Sequence, residues 1–215
     1  MPKGAPKIKV KAVKGYGAKV YLCDNNEKSR EETCNNIIQK TNANFIHPFD
    51  NEDVICGQAT CAKEIYDTTN DLDFIMCPVG GGGLASGTVL STKLFSSKTK
   101  VVLAEPLNAS DAYESFAKKT LIPVQSPNTI ADGLKTSLSE RTFNIILNGA
   151  SNIITVTEEE IISAMRLIWE RLKIVCEPSC SVPLAALLKE PKEFKNKKVV
   201  IILTGGNVDV QKLPF

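Results

Sequence analysis

Histidine is almost missing from this chain: His47 is the only one among 215 residues. That scarcity removes most histidine-based zinc sites and Ser-His-Asp hydrolase arrangements before any motif is sought. A charge excess is missing too. The 26 basic residues face 24 acidic ones, for a net charge of +2, which gives no reason to expect a nucleic-acid or membrane partner. No apolar run reaches the eighteen or so residues a membrane helix needs. No apolar h-region marks a secretory signal. Composition is ordinary, 43% apolar and 23% charged, and it excludes disorder, collagen and coiled coil.

What is present starts with seven cysteines, an odd number, most of them inside apolar stretches. Reduced thiols in a cytoplasmic protein fit this usage. Cys176 and Cys180 have a C-x-x-x-C spacing, but no second Cys or His pair accompanies them, which argues for buried free thiols over zinc. Residues 1–19 hold six lysines and no acid. Pro6 suits a first helical turn and Gly15 a stop, so the favoured reading is a solvated helix face. A nucleic-acid arm is the alternative, isolated in a chain that is otherwise charge-balanced.

The length suits one large domain or two small ones. Short apolar, β-branched runs predict strands at Lys19–Cys23, Asn44–His47, Phe74–Val79, Val101–Glu105, Ile153–Val156 and Val199–Thr204. Helical patterns lie between them, at about Lys28–Lys40, Asp50–Thr68, Leu84–Leu94, Ser110–Lys118, Glu158–Lys173 and Val182–Lys189. The clearest is Glu158–Lys173, where Thr157 and Glu160 form a capping box and three acids occupy the first turn. Alternating strands and helices imply an α/β fold: an open, largely parallel twisted sheet with helices on both faces. The continuous apolar run from Val199 to Leu203 reads as a strand buried on both faces.

The most informative stretch runs from Phe74 through Gly80-Gly81-Gly82-Gly83 to Leu84, as strand, four glycines and helix start. Glycines let backbone amides turn inward, and a helix N-terminus adds partial positive charge; together they make a phosphate cradle. No Lys-Ser/Thr follows, so this is not a nucleoside-triphosphate P-loop. Gly81, Gly83 and Gly87 come near a dinucleotide fingerprint, but the last gap is one residue too long. A second glycine turn, Thr204-Gly205-Gly206-Asn207, closes the last strand. There Thr204 could hydrogen-bond a ring nitrogen without forcing it to be protonated.

Val79-Gly-Gly-Gly-Gly83, Ala104-Glu-Pro106, Thr129-Ile-Ala-Asp-Gly133, Thr155-Val-Thr-Glu-Glu159, Trp169-Glu-Arg171, Glu177-Pro-Ser179 and Thr204-Gly-Gly-Asn207 together resemble serine racemase and its relative, biosynthetic-type threonine (serine) dehydratase. These are pyridoxal-phosphate enzymes of the tryptophan-synthase-β-like fold, fold-type II. The resemblance runs in order from about Ala5 to Pro214. It implies that residues 1–48 are the remnant of a small domain and residues 49–215 the C-terminal part of the large cofactor-binding domain. It implies that Gly80, Gly81, Gly82, Gly83 and the amide of Leu84 hold the cofactor phosphate, and that Thr204 meets the pyridine nitrogen. Thr136 would contact the substrate carboxylate. Glu105 and Asp111, with the carbonyl of Ala109, match a divalent-cation site, and hard oxygen ligands suit Mg2+ or Ca2+; read without the family, the two acids are a helix-start capping pair. Tyr16, Lys173 and Asn207 match contacts of ATP as an activator. The implied chemistry is α-proton abstraction from the external aldimine of serine or threonine, followed by racemisation or loss of ammonia. The implied assembly is a homodimer.

The resemblance also marks what the 215 residues do not contain. The family's Ser-Phe-Lys-x-Arg-Gly-Ala-type motif with the Schiff-base lysine is absent, as is its Ser-x-Gly-Asn-His segment, and Gly57-Gln-Ala-Thr60 has Ala where relatives usually have Gly. About the first third of a family member is lacking. A positioned base contributes on the order of 10²–10⁴-fold, so this chain alone is expected to be inactive, binding phosphate, ATP or a full-length partner. Loss of those strands would also expose sheet edges.

Overall fold

The computed structural model describes residues 1–123 and 126–215. They fall into two compact units, residues 1–46 with 207–214, and residues 47–206 with Phe215.

The first unit is helical. Helix α1, Lys7–Gly15, starts directly after Pro6 and ends at Tyr16, as the proline and glycine signals require. Helix α2, Glu27–Thr41, is opened by the Asn26 side chain, which accepts from the Ser29 amide, and is closed by Asn42 in the left-handed conformation. Lys19–Cys23 forms no strand. Cys23 makes a single parallel bridge to Pro2, and the Asn44–His47 run forms no strand either. β-propensity describes fit to a neighbouring strand, and neither segment has one among the described residues.

The second unit carries the sheet. Strands β1 (Phe74–Pro78), β2 (Lys100–Pro106), β3 (Asn152–Val156) and β4 (Val199–Ile201) are all parallel, in spatial order β3-β2-β1-β4. Alternate residues point to opposite faces, and each face has its own core. On one, Ile75, Cys77, Val101, Leu103 and Ile153 pack against helices α3 (Glu52–Thr68), α4 (Gly83–Phe95), α5 (Asp111–Lys118) and α6 (Glu140–Leu147). On the other, Phe74, Met76, Val102, Ala104 and Ile154 pack against α7 (Glu158–Leu167) and α8 (Pro178–Lys189). The short helix α9, Pro191–Phe194, leads into β4 and sets Phe194 edge-on against Phe74.

Two further expectations are corrected. The run from Val199 to Leu203 is not buried on both faces: β4 pairs with β1 alone among the described residues, and its three residues are only half-buried. The helix expected to reach Lys173 keeps its capping box at Thr157 and Glu160, but becomes a π-helical turn over Ile168–Leu172. There the Trp169 indole donates to the Cys176 carbonyl at 3.0 Å, and Lys173 ends the turn at φ 59°.

Candidate active site

Parallel strands present their carboxyl ends on one edge, where α/β ligands bind. β1 lies at the centre, and the tetraglycine loop leaves its carboxyl end. β2 on one side ends in Glu105-Pro106, and β4 on the other leads to Thr204. Three sequence candidates thus share one edge.

Gly80 to Gly83 are buried. Gly82 has φ +89° and caps α4, a conformation L side chains avoid. A Cβ on Gly81 would lie 2.3 Å from the Phe49 ring, and one on Gly82 would lie 2.8 Å from Thr142, so the loop is packed closely from both sides. Its backbone is the chemistry it offers. Among the described residues none accepts a hydrogen bond from the amides of Gly80, Gly81, Gly82, Gly83 or Leu84. The Ser86 hydroxyl, in the first turn of α4, is buried without a partner there too. Buried donors without acceptors at a helix N-terminus suit an anion with several oxygens, and a phosphate is such a group.

Thr204 is exposed just beyond β4. Its turn is held from below, where the Glu177 amide donates to the Gly205 carbonyl at 3.0 Å, and the Thr204 and Gly205 amides help to lower the Cys180 thiol. Cys180 forms a buried pair with Cys176. The interaction between the two thiols, reinforced by burial, raises the Cys176 thiol; the same interaction lowers that of Cys180 against the opposing effect of burial. Both thiols are free. Thr136 Oγ1 lies 3.4 Å from where a Gly80 Cβ would stand, bringing the substrate-carboxylate candidate to the cradle. The next loop is tied down by Gly133, whose amide donates to Ser179 Oγ at 3.1 Å.

Glu105 is fully buried and caps α5, its two carboxylate oxygens accepting from the Ala112 and Tyr113 amides at 3.1 and 2.9 Å. Burial pushes its carboxyl well above the usual range, and the neighbouring Asp111 adds to this. Asp111 accepts from the Leu138 amide at 3.3 Å through one oxygen. The other oxygen is buried without a partner among the described residues. Burial raises Asp111 to about 7. Asp111 and Ala109 line a cavity of about 380 Å³. Two buried acids, one with a spare oxygen, beside a cavity fit a divalent cation. Among the described residues no three His, Cys, Asp or Glu side chains converge as ligands, so any cation here must also draw on carbonyl or water oxygen.

The activator candidates fall in both units. Tyr16 is 87% exposed at the end of α1 and Asn207 is exposed in the same unit. Lys173, in the second unit, donates to the Glu170 carbonyl at 2.7 Å. Sequence reasoning missed Phe49 and Thr142, which flank the glycines; the Ser139-x-x-Thr142 capping pattern was the available signal for the second.

The sequence matches the family described as Pyridoxal-phosphate dependent enzyme over residues 1–205. The chain belongs to that family. A pyridoxal-phosphate dependent enzyme of this kind, the β-hydroxyaspartate dehydratase of Paracoccus denitrificans, is 44% identical over 215 residues, covering 100% of this chain and 68% of the relative. The serine racemase of Dictyostelium discoideum is 45% identical, covering 99% and 67%; its crystal structure superposes with a TM-score of 0.87 over 97% of this chain and 68% of that one. The maize serine racemase structure, 35% identical, has a TM-score of 0.94 over 98% of this chain and 65% of that one. The fold is therefore the fold-type II architecture of these enzymes. The chain spans about two thirds of the length of the curated relatives it matches. No helix among the described residues is long and apolar enough to cross a membrane.

Proposed function

We propose that this chain carries the cofactor- and substrate-binding part of a pyridoxal-phosphate racemase or ammonia-lyase for β-hydroxy-α-amino acids, serine and threonine first. The observation that carries the reading is the run of five amides without acceptors among the described residues, from buried Gly80 to half-buried Leu84, beside Thr204 on one sheet edge. The relatives support the substrate class: they are named serine racemase, β-hydroxyaspartate dehydratase and L-threo-3-hydroxyaspartate ammonia-lyase, and their substrates share a β-hydroxyl and an α-proton.

Bound pyridoxal phosphate supplies an electron sink that acidifies the α-proton of an attached amino acid. The chain's own residues do the rest of the binding. The amides of Gly80–Leu84 grip the phosphate, and the Thr204 hydroxyl meets the ring nitrogen. Thr136 orients the substrate carboxylate. Glu105, Asp111 and the Ala109 carbonyl hold Mg2+ or Ca2+, tying β2 to the start of α5. Residues 1–48 act as part of a small domain, and ATP acts as an activator.

The lysine that would bind the cofactor's aldehyde and move the proton is not among these 215 residues, since they contain no Ser-Phe-Lys-type motif. The chain by itself therefore binds without turnover. Titration with pyridoxal phosphate, followed by borohydride reduction and peptide mapping, tests this. Saturable binding with no single lysine labelled and no L-serine turnover is expected. One lysine labelled stoichiometrically together with turnover overturns the claim about the lysine, and absence of saturable binding overturns the cradle.

A further inference from the structure

Four glycines in a row have no side chains to fix their peptide planes, so a cradle built from them must be shaped from outside. Two side chains touch it from opposite elements. Thr142, fully buried in the first turn of α6, donates from Oγ1 to the Gly81 carbonyl at 2.9 Å, the nearer of two acceptors with the Ser139 carbonyl at 3.2 Å, and accepts from the Ser139 amide at 3.0 Å. A hydroxyl has one proton, so Thr142 has none left for a ligand; its effect is on the loop. The peptide from Gly81 to Gly82 is planar and trans, which points its C=O and N–H in opposite directions. Holding the carbonyl toward α6 therefore directs the Gly82 amide away from α6. Gly82 is also the left-handed residue of the loop, the conformation that lets successive amides converge on an anion.

Phe49 presses on the same loop. Its ring atoms lie 2.3–2.5 Å from where a Gly81 Cβ would stand, and its own Cβ 3.0 Å from that of Gly83. The Phe49 segment is folded back by His47 Nδ1, which accepts from the Asp50 amide at 2.8 Å, and is tied to α6 where Arg141 Nε donates to Asp50 at 3.0 Å. Consecutive residues of α6 thus act on the loop, Arg141 through the Phe49 segment and Thr142 directly.

We propose that Thr142 is a positioning residue of the phosphate site: by holding the Gly81 carbonyl it aims the Gly82 amide at the anion, with Phe49 backing the loop. This rests on the phosphate reading above. The test measures binding of inorganic phosphate and of pyridoxal phosphate to the full chain, its T142V and T142S variants and F49L. Loss of one oriented donor should weaken T142V about tenfold for both ligands. T142S keeps the hydroxyl and should stay within about twofold of the unaltered chain. F49L should fall between, with melting temperatures recorded for each. In the unaltered chain labelled with 15N-glycine, phosphate should move the Gly82 amide proton downfield. T142V binding within threefold of the unaltered chain, an equal loss in T142S, or a Gly82 amide that stays still while other glycine amides move would overturn the proposal. The Gly82 signal decides alone if T142V does not fold. An unaltered chain that binds neither ligand overturns the phosphate reading itself, a separate result.

Discussion

Replacing Gly87 with alanine sets two physical effects against each other. In an exposed helix interior the change is stabilising, by about 1 kcal/mol of helix propensity. Here Gly87 faces α3. A Cβ would stand 2.6 Å from the Ala59 nitrogen, 2.8 Å from the Gln58 carbonyl carbon and 2.9 Å from the Ile55 oxygen. All three are backbone atoms that no rotamer change can move. Ordinary contact begins near 3.4 Å, so α3 and α4 must separate by roughly 0.8 Å. That separation strains the bonds from Ser91 Oγ to the Ala59 carbonyl at 2.7 Å and between Tyr66 Oη and Thr92 Oγ1 at 2.8 Å, each worth about 1 kcal/mol. Overpacking adds about 1–3 kcal/mol. The net expectation is a loss of about 2–4 kcal/mol, which lowers a urea midpoint by about 1–2 M. Fluorescence of Trp169, the single tryptophan, reports the transition. A midpoint equal to or above that of the unaltered chain would refute the close approach that seats the N-terminus of α4 under the cradle.

Thr204→Ala should weaken pyridoxal phosphate binding severalfold, for one lost hydrogen bond, and leave inorganic phosphate binding unchanged; a parallel loss for both ligands contradicts a ring-nitrogen role. Cation-free stability should fall as pH rises. Asp111 titrates near 7 when folded against 3.8 as its ordinary value, so the folded chain holds the extra proton between those values and loses that stabilisation as pH climbs through them, on the order of a few kcal/mol. Urea midpoints from pH 4 to 8 in EDTA check this. Asp111→Asn should make the profile shallower, leaving the part that buried Glu105 contributes in the same direction, and Mg2+ or Ca2+ at pH 8 should restore stability to the unaltered chain only.

The sheet and the glycine loop were legible because their signals are local. Phe74–Val79 alternates between two cores, and the tetraglycine sits between strand and helix where its spacing says it should. Thr157 and Glu160 read directly as a capping box and form one. What failed depends on distant partners. Lys19–Cys23 has the residues of a strand and no ladder, and Val199–Leu203 reads as interior while sitting beside one strand only. Helix α6 was absent from the sequence expectation, and with it Thr142, whose contact to Gly81 spans 61 residues. Phe49 is 32 residues from Gly81 in sequence, and nothing in a His-Pro-Phe-Asp segment announces that its ring lies on a glycine.

The central claim, that this chain grips its cofactor by the phosphate, is tested most directly by comparing the affinities of pyridoxal phosphate and unphosphorylated pyridoxal for the purified chain. The account predicts that pyridoxal binds at least about a hundredfold more weakly, the loss of two or more charge-assisted hydrogen bonds, and that inorganic phosphate competes with pyridoxal phosphate. Equal affinities, with no competition, would contradict it.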